Sequence, residues 1–265
     1  MRPTTISAPQ RPTQRSLGVV DETAVRIRAD DPALEDWTSN YLREHRLRLA
    51  TDADLVLEHV PAGARVVDVG AAPYVVSGAL AALGYDLLAV DLGPDRFASA
   101  IDELGLEVRR CDIETEPLPI ADASIDAVLF NEIFEHLRID PIFTMGEVLR
   151  VLAPGGALLL STPNLRSFRG IRNLVIRNQG HAVSGGVHRQ YDKLRTLGHM
   201  GHVREYTTSE TVDFLHRTGF VTEGLVFRGG HGRGVVGLAE RLVPSLRPFF
   251  TVIARKPSVV DGAAT

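Results

Sequence analysis

Cysteine is nearly absent. Cys111 is the one thiol in 265 residues, which excludes an intrachain disulfide and a cysteine-rich metal framework and fits a reducing, cytoplasmic setting. Long apolar runs are missing too, none approaching the roughly 18 consecutive apolar residues of a membrane-spanning helix. The first thirty or so residues, rich in Pro, Thr, Ser, Gln and Arg, lack the apolar core of a secretory signal. They read as a disordered tail, 1–32. Extreme charge is lacking as well: the net −4 favours neither a nucleic-acid coat nor a membrane-surface protein as a whole. What remains is a soluble chain of ordinary composition with room for one sizeable core.

From Ala33 to about Val60 apolar residues recur at three- and four-residue intervals, which predicts an amphipathic helix containing Trp37 and Tyr41. Beyond it, strand-like and helix-like segments alternate. Strands are expected at Ala64–Val69, Asp86–Val90, Leu106–Arg110, Ile125–Phe130, Ala157–Ser161, Phe220–Phe227 and Phe249–Ala254. Helices between them are punctuated by Gly84, Pro94, Gly105, Pro141 and a Thr207/Glu210 capping box. This rhythm is that of an α/β fold with a mostly parallel sheet covered on both faces. Residues 164–206 contain no strand-like run and read as an inserted cap, within a domain spanning 33–257 and followed by a second tail, 258–265.

Glycine is scarce where a nucleotide-binding loop would use it most. The segment Val66–Pro73 reads VVDVGAAP, a buried strand running into a turn where Gly70, Ala71 and Ala72 allow a ligand close to the backbone. Asp91 ends the second strand, where a carboxylate accepts hydrogen bonds from ribose hydroxyls. Those features suit NAD and S-adenosylmethionine (SAM) alike. A dinucleotide needs G-x-G-x-x-G to seat its pyrophosphate on a helix N-terminus, and only Gly70 of that set is present. SAM has no phosphate to cradle. Asp112 and Ile113, just past the third strand, are placed for an adenine amino group and ring.

The ordered series of DVG, Asp91, CDIE, PLPIADASIDAV, LRVLAPGG and STPN resembles the successive motifs of class I SAM-dependent methyltransferases over roughly Ala62–Lys256. The resemblance implies a Rossmann-like seven-stranded, mostly parallel sheet with an antiparallel last strand, preceded by an N-terminal helix. It also implies a cofactor site made of Asp68, Gly70, Ala72, Asp91, Asp112, Ile113 and Asn131. The chain departs from the family's D-x-G-x-G-x-G at Pro73 and Tyr74, which reshape the loop.

After the fourth strand the chain reads N-E-I-F-E-H, with HMGHVREYT about seventy residues later. E-x-x-E-H resembles the metal site of ubiquinone-pathway O-methyltransferases, and together with H-x-x-H-x-x-E it is similar to that of small-RNA 3′-terminal 2′-O-methyltransferases. By that resemblance Glu132, Glu135, His136 and His202 hold Mg²⁺ or another divalent metal, with His199 nearby. Without an ion, His136 serves as general base, alongside Asn131 and Glu132 as catalytic residues. From Asn164 to Tyr206 eight Arg and Lys face two acids, so the expected acceptor is a small anionic or phosphate-bearing metabolite, methylated on oxygen. The competing readings are an RNA 3′-end 2′-O-methyltransferase, an inactive SAM-binding partner subunit and an NAD-dependent reductase.

Overall fold

Strand, turn and helix alternate from residue 65 onward because buried β-branched runs are separated by glycine and proline punctuation. The computed structural model describes residues 4–7, 12–198, 201–230 and 234–258. Its strands are β1 (Thr4–Ser7), β2 (Arg65–Val69), β3 (Asp86–Asp91), β4 (Glu107–Arg110), β5 (Ile125–Asn131), β6 (Leu152–Pro163), β7 (Val221–Arg228) and β8 (Phe249–Arg255). The helices are α1 (Gln14–Ala24), α2 (Glu35–His59), α3 (Val75–Ala82), α4 (Ala98–Leu104), α5 (Pro141–Val151), α6 (Phe168–Arg177), α7 (Val187–Leu197), α8 (Thr208–Arg217) and α9 (Gly234–Leu242).

The strands form one sheet in the order β1-β7-β8-β6-β5-β2-β3-β4. β8 runs antiparallel to both neighbours, β6 and β7, and the other pairings are parallel. The seven expected strands are therefore present in a Rossmann-like arrangement, with β1 added at the β7 edge. Successive residues of the central strands feed two cores. Val66, Ala89 and Leu129 pack under α1, α2 and α3, while Val67, Val90 and Phe130 pack under α5 and α8. This is the period-two alternation of a sheet covered on both faces.

Two segments depart from expectation. Within the expected tail, 1–32, the described residues include a helix: α1 buries Leu17 and Val20, and its N-cap Thr13 accepts from the Ser16 amide. Asp54 of α2 fixes that start, taking the Thr13 amide at 2.7 Å and the Thr13 and Ser16 hydroxyls at 2.6 Å each. Polar composition upstream hid this short amphipathic turn sequence. The expected strand at 157–161 also runs longer, because Leu152 pairs with Ile125 ahead of Pro154 and Gly155. The capping box forms as expected, Thr207 and Glu210 each accepting from the other's backbone amide. Residues 164–206 hold α6 and α7, and residues 259–265, most of the expected second tail, lie outside the described residues.

Candidate active site

The carboxyl ends of β2, β3, β4 and β5 open on one edge of the sheet, and there the chain leaves a cavity of about 730 Å³. Such an edge is where open α/β sheets bind ligands. Gly70, Ala72, Asp91, Asp112, Ile113, Asn131, Glu132, Glu135, His136 and His202 all line it.

The floor is set by Gly70. It has φ 66°, and a Cβ there would lie 2.3 Å from Ile133 Cδ1 and have to displace that side chain, so the position favours glycine. The loop folds onto the end of β3: the Gly70 amide donates to the Val90 carbonyl at 2.8 Å, and the Ala72 amide to Asp91 Oδ2 at 3.1 Å. Asp91 Oδ1 takes the Gly93 amide at 2.9 Å. Each oxygen of this half-buried carboxylate keeps a second lone-pair direction for a ligand hydroxyl. The irregular Tyr74 does not obstruct the cavity. At φ 68° its ring turns inward, fully buried, and meets Phe97 edge-on with centroids 5.9 Å apart.

Asp68 is not on the main cavity wall. It borders a small adjoining pocket with Tyr41, Arg48, Gly70, Asn131 and Glu132. Burial pushes its carboxyl up to about 7, against the pull of the Ser77 hydroxyl bonded to it. Asp112 is positioned by its own turn, its Oδ1 accepting from the Glu114 amide at 3.1 Å. Ile113 is held by Thr144, whose hydroxyl donates to its carbonyl at 2.9 Å.

The four expected metal ligands do not converge. Glu135, His136 and His202 bring ligand atoms within 4.8 Å of one another. Glu132 is turned elsewhere: Arg48 Nη1 lies 2.9 Å from its Oε2, and Arg228 Nη2 lies 3.3 Å from its Oε1, which also accepts from Ser161 at 3.0 Å. Its left-handed φ of 56° accompanies that turn. Two buried guanidinium groups outcompete the neighbouring histidines for this carboxylate. Glu135 is 1% exposed. Thr162 donates to its Oε2 at 2.9 Å, while its Oε1 has no hydrogen-bond partner among the described residues. Burial, then the charge of Glu132, raises its pKa well above the ordinary carboxylate value.

His136 Nδ1 lies 2.9 Å from the Gly201 carbonyl oxygen, an arrangement that makes Nδ1 the donor and sets the lone pair at Nε2. His202 packs edge-on against it, with ring centroids 4.7 Å apart. The chain around His202 is anchored by Glu205, which accepts the Ala182, Val183 and Ser184 amides. Burial opposes that charge, but the nearby His202 ring and these amide bonds hold the carboxyl at about 2. His199 lies outside the described residues.

The sequence reading missed part of the wall. Trp37, Tyr41, Glu44, His45 and Arg48 of α2 line the cavity. Their spacing is one helical face, so the signal was present, but it was indistinguishable from a core-facing stripe. Burial pushes His45 down to about 4, leaving it neutral. The basic cap also differs from expectation. Arg166, Arg169, Arg172, Arg177, Arg189, Arg195 and Arg204 are exposed, and of the cap's cations only Lys193 lines the cavity.

Comparison with known proteins agrees with this geometry. The family described as "Methyltransferase domain" matches residues 67–160, the segment that supplies β2 to β6 and most of the cavity floor. Over that segment the chain resembles class I SAM-dependent methyltransferases, and the fold around it is of the same kind. A ubiquinone biosynthesis O-methyltransferase of Xanthomonas axonopodis pv. citri is 39% identical over 108 residues, covering 39% of this chain and 45% of that protein. Its counterpart in Xanthomonas campestris pv. campestris is 36% identical over 107 residues, covering 38% and 44%. The chain thus spans less than half the length of these curated relatives.

Among solved structures, a SAM-dependent methyltransferase of Thermotoga maritima aligns with TM-score 0.56 at 19% identity, covering 83% of this chain and 95% of that one. One from Mesorhizobium loti gives TM-score 0.56 at 22%, covering 76% and 96%. These two establish the fold. No described helix is long and apolar enough to cross a membrane.

Proposed function

We propose that the protein transfers the methyl group of SAM to an oxygen of a small acceptor bound in the 730 Å³ cavity. The observation that carries this reading is the convergence of Gly70, Asp91, Asp112, Ile113, Asn131 and His136 on one cavity. The chemistry of these residues suits SAM. Each Asp91 oxygen keeps a lone pair that a ribose hydroxyl can use, and SAM needs no basic cradle for a pyrophosphate. When bound, SAM supplies an activated methyl on a sulfonium, so the chain's own residues have two tasks.

The first is placement of the acceptor oxygen within about 3 Å of the methyl carbon. The second is removal of its proton, for which His136 Nε2 is the base and the Gly201 carbonyl the group that fixes its tautomer. Lys193, on the cavity wall, gives an anionic group on the acceptor a place to bind. Calorimetric titration with S-adenosylhomocysteine (SAH) against NADH tests the cofactor. Transfer of labelled methyl to a panel of hydroxylated acids tests the reaction. Binding of NADH without SAH refutes the reading.

A second reading adds a divalent cation at Glu135, His136 and His202. Its support is the buried Oε1 of Glu135, which lacks a hydrogen-bond partner among the described residues, within 4.8 Å of ligand atoms of His136 and His202, a donor set suited to Mg²⁺, Mn²⁺ or Zn²⁺. Such an ion would lower the pKa of an acceptor hydroxyl. Glu132, committed to Arg48 and Arg228, is left out of this ligand set.

A further inference from the structure

α6 is amphipathic with its polarity reversed. A surface helix ordinarily turns its apolar stripe to the core. Here the inward positions are Ser167, Gly170 and Asn173, spaced three apart and all buried. That side is fixed by close packing. A Cβ on Gly170 would lie 1.9 Å from the Leu165 carbonyl oxygen, Ser167 caps the helix by accepting the Gly170 amide, and Asn173 donates to the His181 carbonyl at 2.9 Å. The helix cannot roll over without losing all three contacts.

The apolar residues consequently face outward. Ile171, Leu174, Val175 and Ile176 are 40%, 58%, 75% and 76% exposed. On α7, Val187 and Tyr191 extend the exposed apolar surface. Arg169, Arg172 and Arg177 flank the α6 stripe, all exposed, and the stretch from Asn164 to Tyr191 contains five arginines and no acidic residue. The chain as a whole carries −4, so this concentration is local.

We infer that α6, supported by the start of α7, docks the protein on an anionic lipid bilayer. Aliphatic side chains bordered by arginines match the acyl boundary and headgroup layer of such a surface. Charge complementarity selects this occupant. A second copy placed face to face would bring arginines against arginines. Single-stranded nucleic acid binds such basic surfaces through several stacked aromatic rings, whereas the exposed apolar residues of this surface are Ile, Leu and Val with Tyr191 as the one ring among them. The docked face and the cavity share one segment: Val183, between α6 and α7, lines the cavity, so docking brings the cavity rim beside the bilayer. The inference stands apart from methyl transfer and does not require it.

The test uses the full chain with vesicles of phosphatidylcholine alone or mixed with phosphatidylglycerol, read by co-sedimentation at low and high salt. The expected result is binding to the mixed vesicles, weakened by salt, with little binding to phosphatidylcholine alone. The variant Arg169→Ala/Arg172→Ala/Arg177→Ala should lose at least about tenfold in partitioning. Leu174→Asp/Val175→Asp should abolish it, with an unchanged unfolding midpoint. Val175→Trp gives a readout that leaves the apolar face intact, and its emission should shift to the blue with mixed vesicles. Failure to bind mixed vesicles, equal binding to both compositions, no emission shift, saturable binding to an RNA oligonucleotide that displaces the vesicles, or self-association through this face would each overturn it.

Discussion

Ser77 donates its hydroxyl hydrogen to Asp68 at 2.7 Å, and both residues are buried between β2 and α3. The bond lowers the carboxyl's pKa, yet burial dominates and, with the charges of Asp52 and Asp91, raises it from the ordinary 3.8 to about 7. The folded chain therefore binds this proton more tightly than the unfolded chain. Asp68 contributes stability in acid, and that contribution is lost as pH rises from about 4 through about 7, with no further change above. Asp68→Asn should remove the dependence. The difference in unfolding free energy between variant and wild type should grow with pH across this window, by as much as about 4 kcal/mol. Urea unfolding at a series of pH values measures it, and a difference that stays flat contradicts the burial argument.

Arg228 and Asp52 form an ion pair deep between β7 and α2, at 2% and 4% side-chain exposure, and Arg228 extends onward to Glu132. Removing Asp52 leaves the buried Arg228 guanidinium with Glu132 alone, a carboxylate it already shares with Arg48. Asp52→Ala should destabilise the chain by about 3–5 kcal/mol, whereas the paired change Asp52→Leu/Arg228→Met should cost much less. Chemical denaturation of the three proteins decides. Equal losses in the single and double variants would show that the pair is not a coupled unit.

Most of the parallel strands were legible because they are short apolar runs bounded by glycine or proline. β4, with the sequence EVRR, stood out only by the alternating order of elements. The order of strand-end residues pointed to the cavity. Asp91, Asp112 and Gly70 sit at strand ends by sequence position alone, so their convergence follows from topology. The reach of long side chains does not follow in this way. Glu132 lies three residues from Glu135 and beside the same strand, but its partners, Arg48 and Arg228, come from α2 and β7, far away in sequence. No local pattern marks them. The outward face of α6 was hidden for a related reason: its spacing is that of any amphipathic helix, and only packing reveals that the small polar side is the buried one.

Asp91 anchors the loop by accepting the Ala72 and Gly93 amides, and it is the proposed ribose site. Asp91→Ala should weaken SAH binding by about 2–4 kcal/mol through lost charge-assisted hydrogen bonds to the ribose. Asp91→Asn, which keeps one acceptor oxygen, should lose less. Calorimetry on the three proteins checks the order, and an unchanged affinity in Asp91→Ala would remove Asp91 from the cofactor site.

The edge-on pair of His136 and His202 supports two chemistries with opposite responses to chelation. If His136 acts as a base without an ion, exhaustive treatment with a chelator leaves methyl transfer intact. His136→Ala then lowers kcat by about 10²–10⁴-fold, and His202→Ala, which removes a packing neighbour, has a smaller effect. If a cation is held by Glu135, His136 and His202, chelation abolishes transfer, added Mg²⁺ or Mn²⁺ restores it, and all three alanine variants lose metal together. Glu135→Gln discriminates further. It keeps the acceptor for Thr162 while removing the charge that a cation needs, so it should be silent in the first case and inactive in the second. Metal content of the purified protein, measured beside SAH affinity, separates loss of the ion from loss of the fold. Glu132→Gln should leave metal content unchanged under either chemistry, because Arg48 and Arg228 already claim that carboxylate. Loss of metal in Glu132→Gln would mean that Glu132 leaves its arginines to join the ligand set.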